Sequence, residues 1–95
     1  MKGVRRFRDR LKRELQDREF KKAFDEEELF AKLAIQIAKI REEQGLSQQD
    51  LAKRLRTSQQ MVSRLEDVHN KSFSLRTLIK LARAFRKKID VEFVP

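Results

Sequence analysis

Apolar residues recur along most of this chain at intervals of three and four among charged ones, the spacing of amphipathic helices. From Val4 the stripe is narrow: Val4, Phe7, Leu11 and Leu15, then Phe20 and Phe24. The acidic cluster at 25–28 suits the positive end of a helix dipole, so the pattern predicts a second helix starting there. It runs to about Gln44 with Phe30, Leu33, Ala34, Ile37 and Ile40 on one broad face, and Gly45 is its expected stop. Ser47, with Asp50 three residues on, reads as a capping box that opens a short helix from Gln48 burying Leu51, Ala52 and Leu55. Thr57 and Ser58 restart the chain into another short helix, ending near Asp67, with Val62 and Leu65 turned inward. Residues 68–73 read as a loop. Ser74 then caps a last helix carrying Leu75, Leu78, Ile79, Leu81, Ala82 and Phe85.

At Ile89 the rhythm changes. Ile89, Val91 and Phe93 alternate with Asp90 and Glu92, the period of a strand. A lone strand cannot satisfy its own ladder, and no second strand-like segment exists in the sequence. The expected partner is the same segment of a second copy, giving a symmetric homodimer through Ile89, Val91 and Phe93.

Composition narrows the function classes. The 95 residues suffice for one domain, with 39% hydrophobic and 41% charged side chains. The absence of cysteine excludes disulfides, thiolate metal sites and cysteine nucleophiles. No apolar run approaches membrane-spanning length and the opening residues are charged, so a cytoplasmic protein with no membrane partner is expected. The net charge of +9 favours a phosphate-rich partner. That charge is uneven: residues 1–22 carry ten Lys/Arg against four Asp/Glu, residues 23–50 three against seven, and residues 51–95 eleven against four. Two basic regions therefore flank an acidic one.

Residues 48–66 read QQDLAKRLRTSQQMVSRLE, two short helices around a tight turn. Leu51, Ala52 and Leu55 face Val62 and Leu65, and small Ala52 permits a close crossing. The second helix exposes Ser58, Gln59, Gln60, Met61, Ser63 and Arg64. Gln can grip adenine through two bonds, Arg can grip guanine or phosphate, and Met can touch a thymine methyl. Lys53 and Arg54 read as solvated surface. His69, the one histidine, has no second ligand nearby, and Glu26, Glu27 and Glu28 read as helix-dipole acids. No phosphate loop, nucleophile pattern or metal spacing is present, so neither an enzyme nor a cofactor is expected.

These residues resemble the Xre/Cro family of repressors: Gly45-Leu46-Ser47-Gln48, Asp50-Leu51-Ala52, Ser58-Gln59-Gln60 and Val62-Ser63-Arg64-Leu65-Glu66. The resemblance spans about residues 33–85 and implies an all-α fold. That fold is a five-helix repressor-like helix-turn-helix domain over 29–88, preceded by a helical extension over 1–28 and followed by the dimerisation strand over 89–95. It implies base contacts from Ser58, Gln59, Gln60, Met61 and Ser63 on a palindromic double-stranded operator. Gln48 is implied to touch a phosphate and brace the recognition helix, and Ser47, Arg56, Arg64, Asn70, Lys71 and Ser72 to hold further phosphates. Arg56 departs from the family's Gly or Asn at a turn requiring positive φ, and Glu66-Asp67-Val68-His69-Asn70 replaces its usual Glu-Asn-Gly.

Residues 15–24, LQDREFKKAF, are similar to a segment preceding the helix-turn-helix of HigA-type antitoxins, with Arg18 where those have Pro and Phe24 where they have Tyr. This resemblance implies a RelE/HigB-type toxin as partner, bound through Phe7, Leu11, Leu15, Phe20 and Phe24 in a helix-in-groove mode. The net positive charge of residues 1–22 opposes docking on a basic toxin unless the acids around 25–28 make the contact. An autonomous repressor, whose first helix packs in its own dimer, and a membrane-surface helix are the other readings of the extension.

Overall fold

In the computed structural model the backbone is described from Lys2 and the side chains from Arg6 to Pro95; Val4 of the apolar stripe lies outside the described side chains. The described residues form four helices: α1 (Lys2–Glu43), α2 (Gln48–Leu55), α3 (Gln59–Leu65) and α4 (Leu75–Ala84). The two separate helices expected across residues 4–44 are one. The acids at 25–28 are helix-compatible wherever no breaker accompanies them, and neither Gly nor Pro occurs between Val4 and Gln44. Acid–base pairs at i,i+4 spacing such as Asp9 with Arg13, Asp17 with Lys21 and Glu28 with Lys32 favour continuation.

The expected count of five core helices is also corrected, because the domain uses the C-terminal third of α1 plus α2, α3 and α4. Residues 66–74 are held instead by local turns: Asp67 accepts from the His69 amide at 2.9 Å and Asn70 from the Ser72 amide at 3.1 Å. Such side-chain-to-backbone bonds compete with helix. Residues 87–95 carry no regular structure in the single chain; the expected strand has no ladder partner among the described residues.

Three helices end alike. Gly45 (φ 69), Arg56 (φ 55) and Arg86 (φ 57) all adopt the left-handed conformation. In each case the following amide reaches back to the carbonyl five residues earlier: Leu46 to Arg41, Thr57 to Ala52, and Lys87 to Ala82, at 3.0, 2.9 and 2.8 Å. The positive φ at Arg56 matches expectation. The one at Arg86 had no glycine to announce it, and a side chain there costs about 1–2 kcal/mol.

The core comprises Ile37 from α1, Leu51 and Ala52 from α2, Val62 and Leu65 from α3, and Leu81 and Phe85 at α4, with Leu46, Leu55, Phe73 and Leu78 half-buried around it. Phe30 stacks on Phe73, ring centroids 6.1 Å apart, where α1 leaves the core. Before Phe30 every described side chain of α1 is exposed. At about 1.5 Å per residue this solvated portion accounts for much of the molecule's long dimension, 67 Å against 27 and 21 Å. Leu75 and Ile79, part of the apolar repeat of α4, are 59% and 39% exposed.

Candidate nucleic-acid interface

The α2–turn–α3 unit is built from its two ends. Ser47 Oγ accepts from the Asp50 amide at 3.0 Å while the Asp50 carboxylate accepts from the Ser47 amide at 2.9 Å, a complete capping box. The bond from the Ser47 amide, then that from its hydroxyl, holds the Asp50 carboxyl below its ordinary range. Ser58 caps α3 likewise, its Oγ accepting from the Met61 amide at 3.1 Å. Val62 and Leu65 are buried to 0% and 3% exposure. They fix α3's rotation about its axis, and Ser58, Gln59, Gln60, Met61, Ser63 and Arg64 are left facing solvent.

The far end of α3 is held by an ion pair that no pattern announced. Glu66 receives Arg41 through three contacts, Nε at 2.8 and 3.1 Å and Nη2 at 2.9 Å, while Arg41 Nη1 donates to the Leu46 carbonyl at 2.7 Å. Side-chain exposure is 13% for Arg41 and 7% for Glu66. The bond to Glu66 is the leading cause that raises the Arg41 pKa above its ordinary value. One guanidinium thus ties α1, the α1–α2 turn and the end of α3 together. The partners are 25 residues apart in sequence, so periodicity carries no trace of them.

The other expected contact residues divide. Gln49, not Gln48, reaches the recognition helix, its Nε2 donating to Gln59 Oε1 at 3.3 Å; Gln48 is half-buried. This brace orients Gln59's amide and leaves Gln60 without a protein partner among the described residues. Arg56 and Arg64 are exposed, one at the turn and one on α3. Arg54, expected as solvated surface, donates to the Ala84 carbonyl at 3.0 Å and so caps α4. Lys71 pairs with Glu27 of α1 at 3.1 Å, both about three-fifths exposed, an interaction phosphate can displace. Asn70 and Ser72 are engaged in their own turn.

The five residues expected to hold a toxin do not form one surface. Each helical residue advances about 100° around the axis, so Phe7, Leu11, Leu15 and Leu29 fall within a sector of about 80°. Phe20, Phe24 and Ile35 fall in another, roughly 150° away. All seven are 47–74% exposed. The second sector, about 100° wide between residues 17 and 42, holds Asp17, Phe20, Phe24, Glu27, Glu28, Ala31, Ile35, Ala38 and Glu42. It contains no Lys or Arg, in a chain with 24 of them.

Two capped helices crossing over small side chains, with a polar second helix facing outward, define a helix-turn-helix nucleic-acid-binding unit. A family model described as helix-turn-helix matches residues 37–91, and the chain belongs to that family, a DNA-binding regulator of Xre type. That domain is a DNA-binding regulatory one. No curated protein and no solved structure matched the chain. Among the described residues no helix is long and apolar enough to cross a membrane.

Proposed function

We propose that this protein is a sequence-specific transcriptional repressor that binds a palindromic operator as a homodimer. The observation carrying this is the outward row of α3: Gln59, Gln60, Met61 and Ser63 project from a helix locked at one end by the Ser58 cap and at the other by Glu66 on Arg41. Two such helices, one per copy, enter successive major grooves about 34 Å apart. Gln60 reads a base edge, Gln59 does so from the position set by Gln49, and Ser58, whose acceptor is committed to its cap, donates. Arg56, Arg64, Lys71 and the turns at Ser47–Gln48 and Asn70–Ser72 hold phosphates, giving salt-sensitive affinity. Replacing Gln60 with Ala weakens operator binding by about 1–3 kcal/mol and binding to random DNA hardly at all, as gel-shift titration measures. An equal loss on both DNAs refutes base reading.

The arm favours a second role, neutralisation of a RelE/HigB-type toxin with autoregulation of the shared operon. The exposed apolar residues of α1 are not absorbed by the core, and the sector bearing Phe20, Phe24 and Ile35 has the acidic complexion that a basic, RNA-binding toxin matches. Of the toxin-binding set, Phe20 and Phe24 therefore make the contact, with Phe7, Leu11 and Leu15 on the other side of the helix. Co-purification with the product of the adjacent small gene tests this. A complex abolished by Phe20→Ser with Phe24→Ser supports it; no complex, with intact operator binding, leaves an autonomous regulator.

A further inference from the structure

The left-handed turn at Arg86 brings Lys87, Lys88 and Ile89 to the edge of the opening between α1 and α4. That opening is an apolar depression of about 110 Å³ walled by Leu33, Ile37 and Ile40 on one side and Leu78, Leu81 and Phe85 on the other, with Lys87, Lys88 and Ile89 at its edge. Ile89 also borders a shallow depression beside Ile79 on the outer face of α4. Exposure climbs along the segment: Ile89 40%, Val91 66% and Phe93 102%. The single chain covers Ile89 in part, at the edge of the depression, and leaves Val91 and Phe93 bare.

In an extended segment Lys87, Ile89, Val91 and Phe93 share one side, and Lys88, Asp90 and Glu92 the other. Directly opposed residues of an antiparallel pair lie on the same face, so a two-fold axis that keeps the apolar side together must pass at a residue. Centred on Val91, it sets Asp90 against the partner's Glu92 twice. Centred on Asp90 or Glu92, it sets a carboxylate against its own copy, and centred on Lys88 an ammonium against its own. A parallel pair stacks every charge on itself. Centred on Ile89, each Lys88 meets the partner's Asp90, twice, with no like charges directly opposed.

Resting on the dimer proposed above, we infer that two copies pair antiparallel about Ile89, with Lys88 opposite the partner's Asp90, and that each chain's Val91 and Phe93 cover the other's α1–α4 depression. The partner strand runs back towards the end of α4, where Phe85 walls the depression, and its Phe93 lies about 13 Å beyond the axis. The occupant of that depression is the second copy.

Sedimentation equilibrium on the full-length chain tests the register with four proteins: wild type, Lys88→Asp, Asp90→Lys, and the chain carrying both changes. Each single change turns two attractive pairs into repulsive ones and weakens dimerisation roughly tenfold or more, while the double change restores it. A one-to-one mixture of the two single variants also restores it, because the heterodimer again has two opposite-charge pairs. All substituted positions are exposed, and unchanged helical circular dichroism checks that each chain folds. Single variants that dimerise like wild type, or a loss that neither combination repairs, overturn the register while leaving the dimer standing. A wild-type chain that stays monomeric at micromolar concentration overturns the dimer and the register together.

Discussion

The recognition unit and the projecting arm of α1 are built from similar residue types and behave oppositely. In residues 47–66 every apolar side chain except Met61 finds a neighbour, and both helices start at serine caps. In residues 6–29 five large apolar side chains out of six are at least half exposed, on two sides of one helix. Burial in the first region gives a unique rotation and spacing, which is what base reading requires. Its absence in the second leaves a helix whose shape comes from propensity and charge spacing and whose apolar sides await other molecules.

The sharpest way to break this contrast is to truncate one leucine in each region. Leu51→Ala, at a site of 0% exposure, lowers stability by about 3–5 kcal/mol in denaturant unfolding, whereas Leu11→Ala on the arm changes it by less than about 0.5 kcal/mol. A comparable loss at Leu11 would mean that the arm is covered by protein and the contrast fails. Next in size is Glu66→Ala, which leaves Arg41 confined without its partner and costs about 3 kcal/mol. Operator binding by the still-folded fraction falls as well, because the end of α3 loses its tie to α1.

The capping box is smaller and depends on pH. Ser47→Ala lowers stability by about 1 kcal/mol. Asp50 is depressed in the folded state, so its contribution is fully present above the unfolded pKa, near 4, and disappears as pH falls through the lower folded value. Melting temperatures of wild type and Asp50→Asn therefore differ at pH 7 and converge as pH falls through the depressed folded value. A gap that persists in acid would assign the effect to packing.

Much of the recognition unit was legible because its signals are local. Ser47, Ser58 and Ser74 cap where polar residues precede apolar repeats, Gly45 ends α1, and Leu51, Ala52, Val62 and Leu65 follow helical spacing into the core. Arg56 was read as left-handed only through a family pattern. What escaped is either long-range or ambiguous. The Arg41–Glu66 pair joins distant segments, and whether Gln48 or Gln49 faces Gln59 depends on a rotation that both residues tolerate. The acids at 25–28 serve equally as the start of a helix or its interior, and only the lack of a glycine or proline decides. Leu75 and Ile79 share the apolar repeat of α4 yet stay exposed, because periodicity reports a face, not what covers it.

The unbroken α1 also has a mechanical side. Its last turns are clamped into the core by Ile37 and Arg41, and no hinge separates them from the solvated turns. About 28 residues of helix beyond the core make a lever of about 42 Å. A molecule gripping the tip applies torque to the whole head, and a tilt of about 5° there corresponds to some 4 Å of travel at the tip. With two heads joined in a dimer, a clamp on both arms would set the angle between the recognition helices, and operator affinity would answer to leverage from a site that never touches DNA.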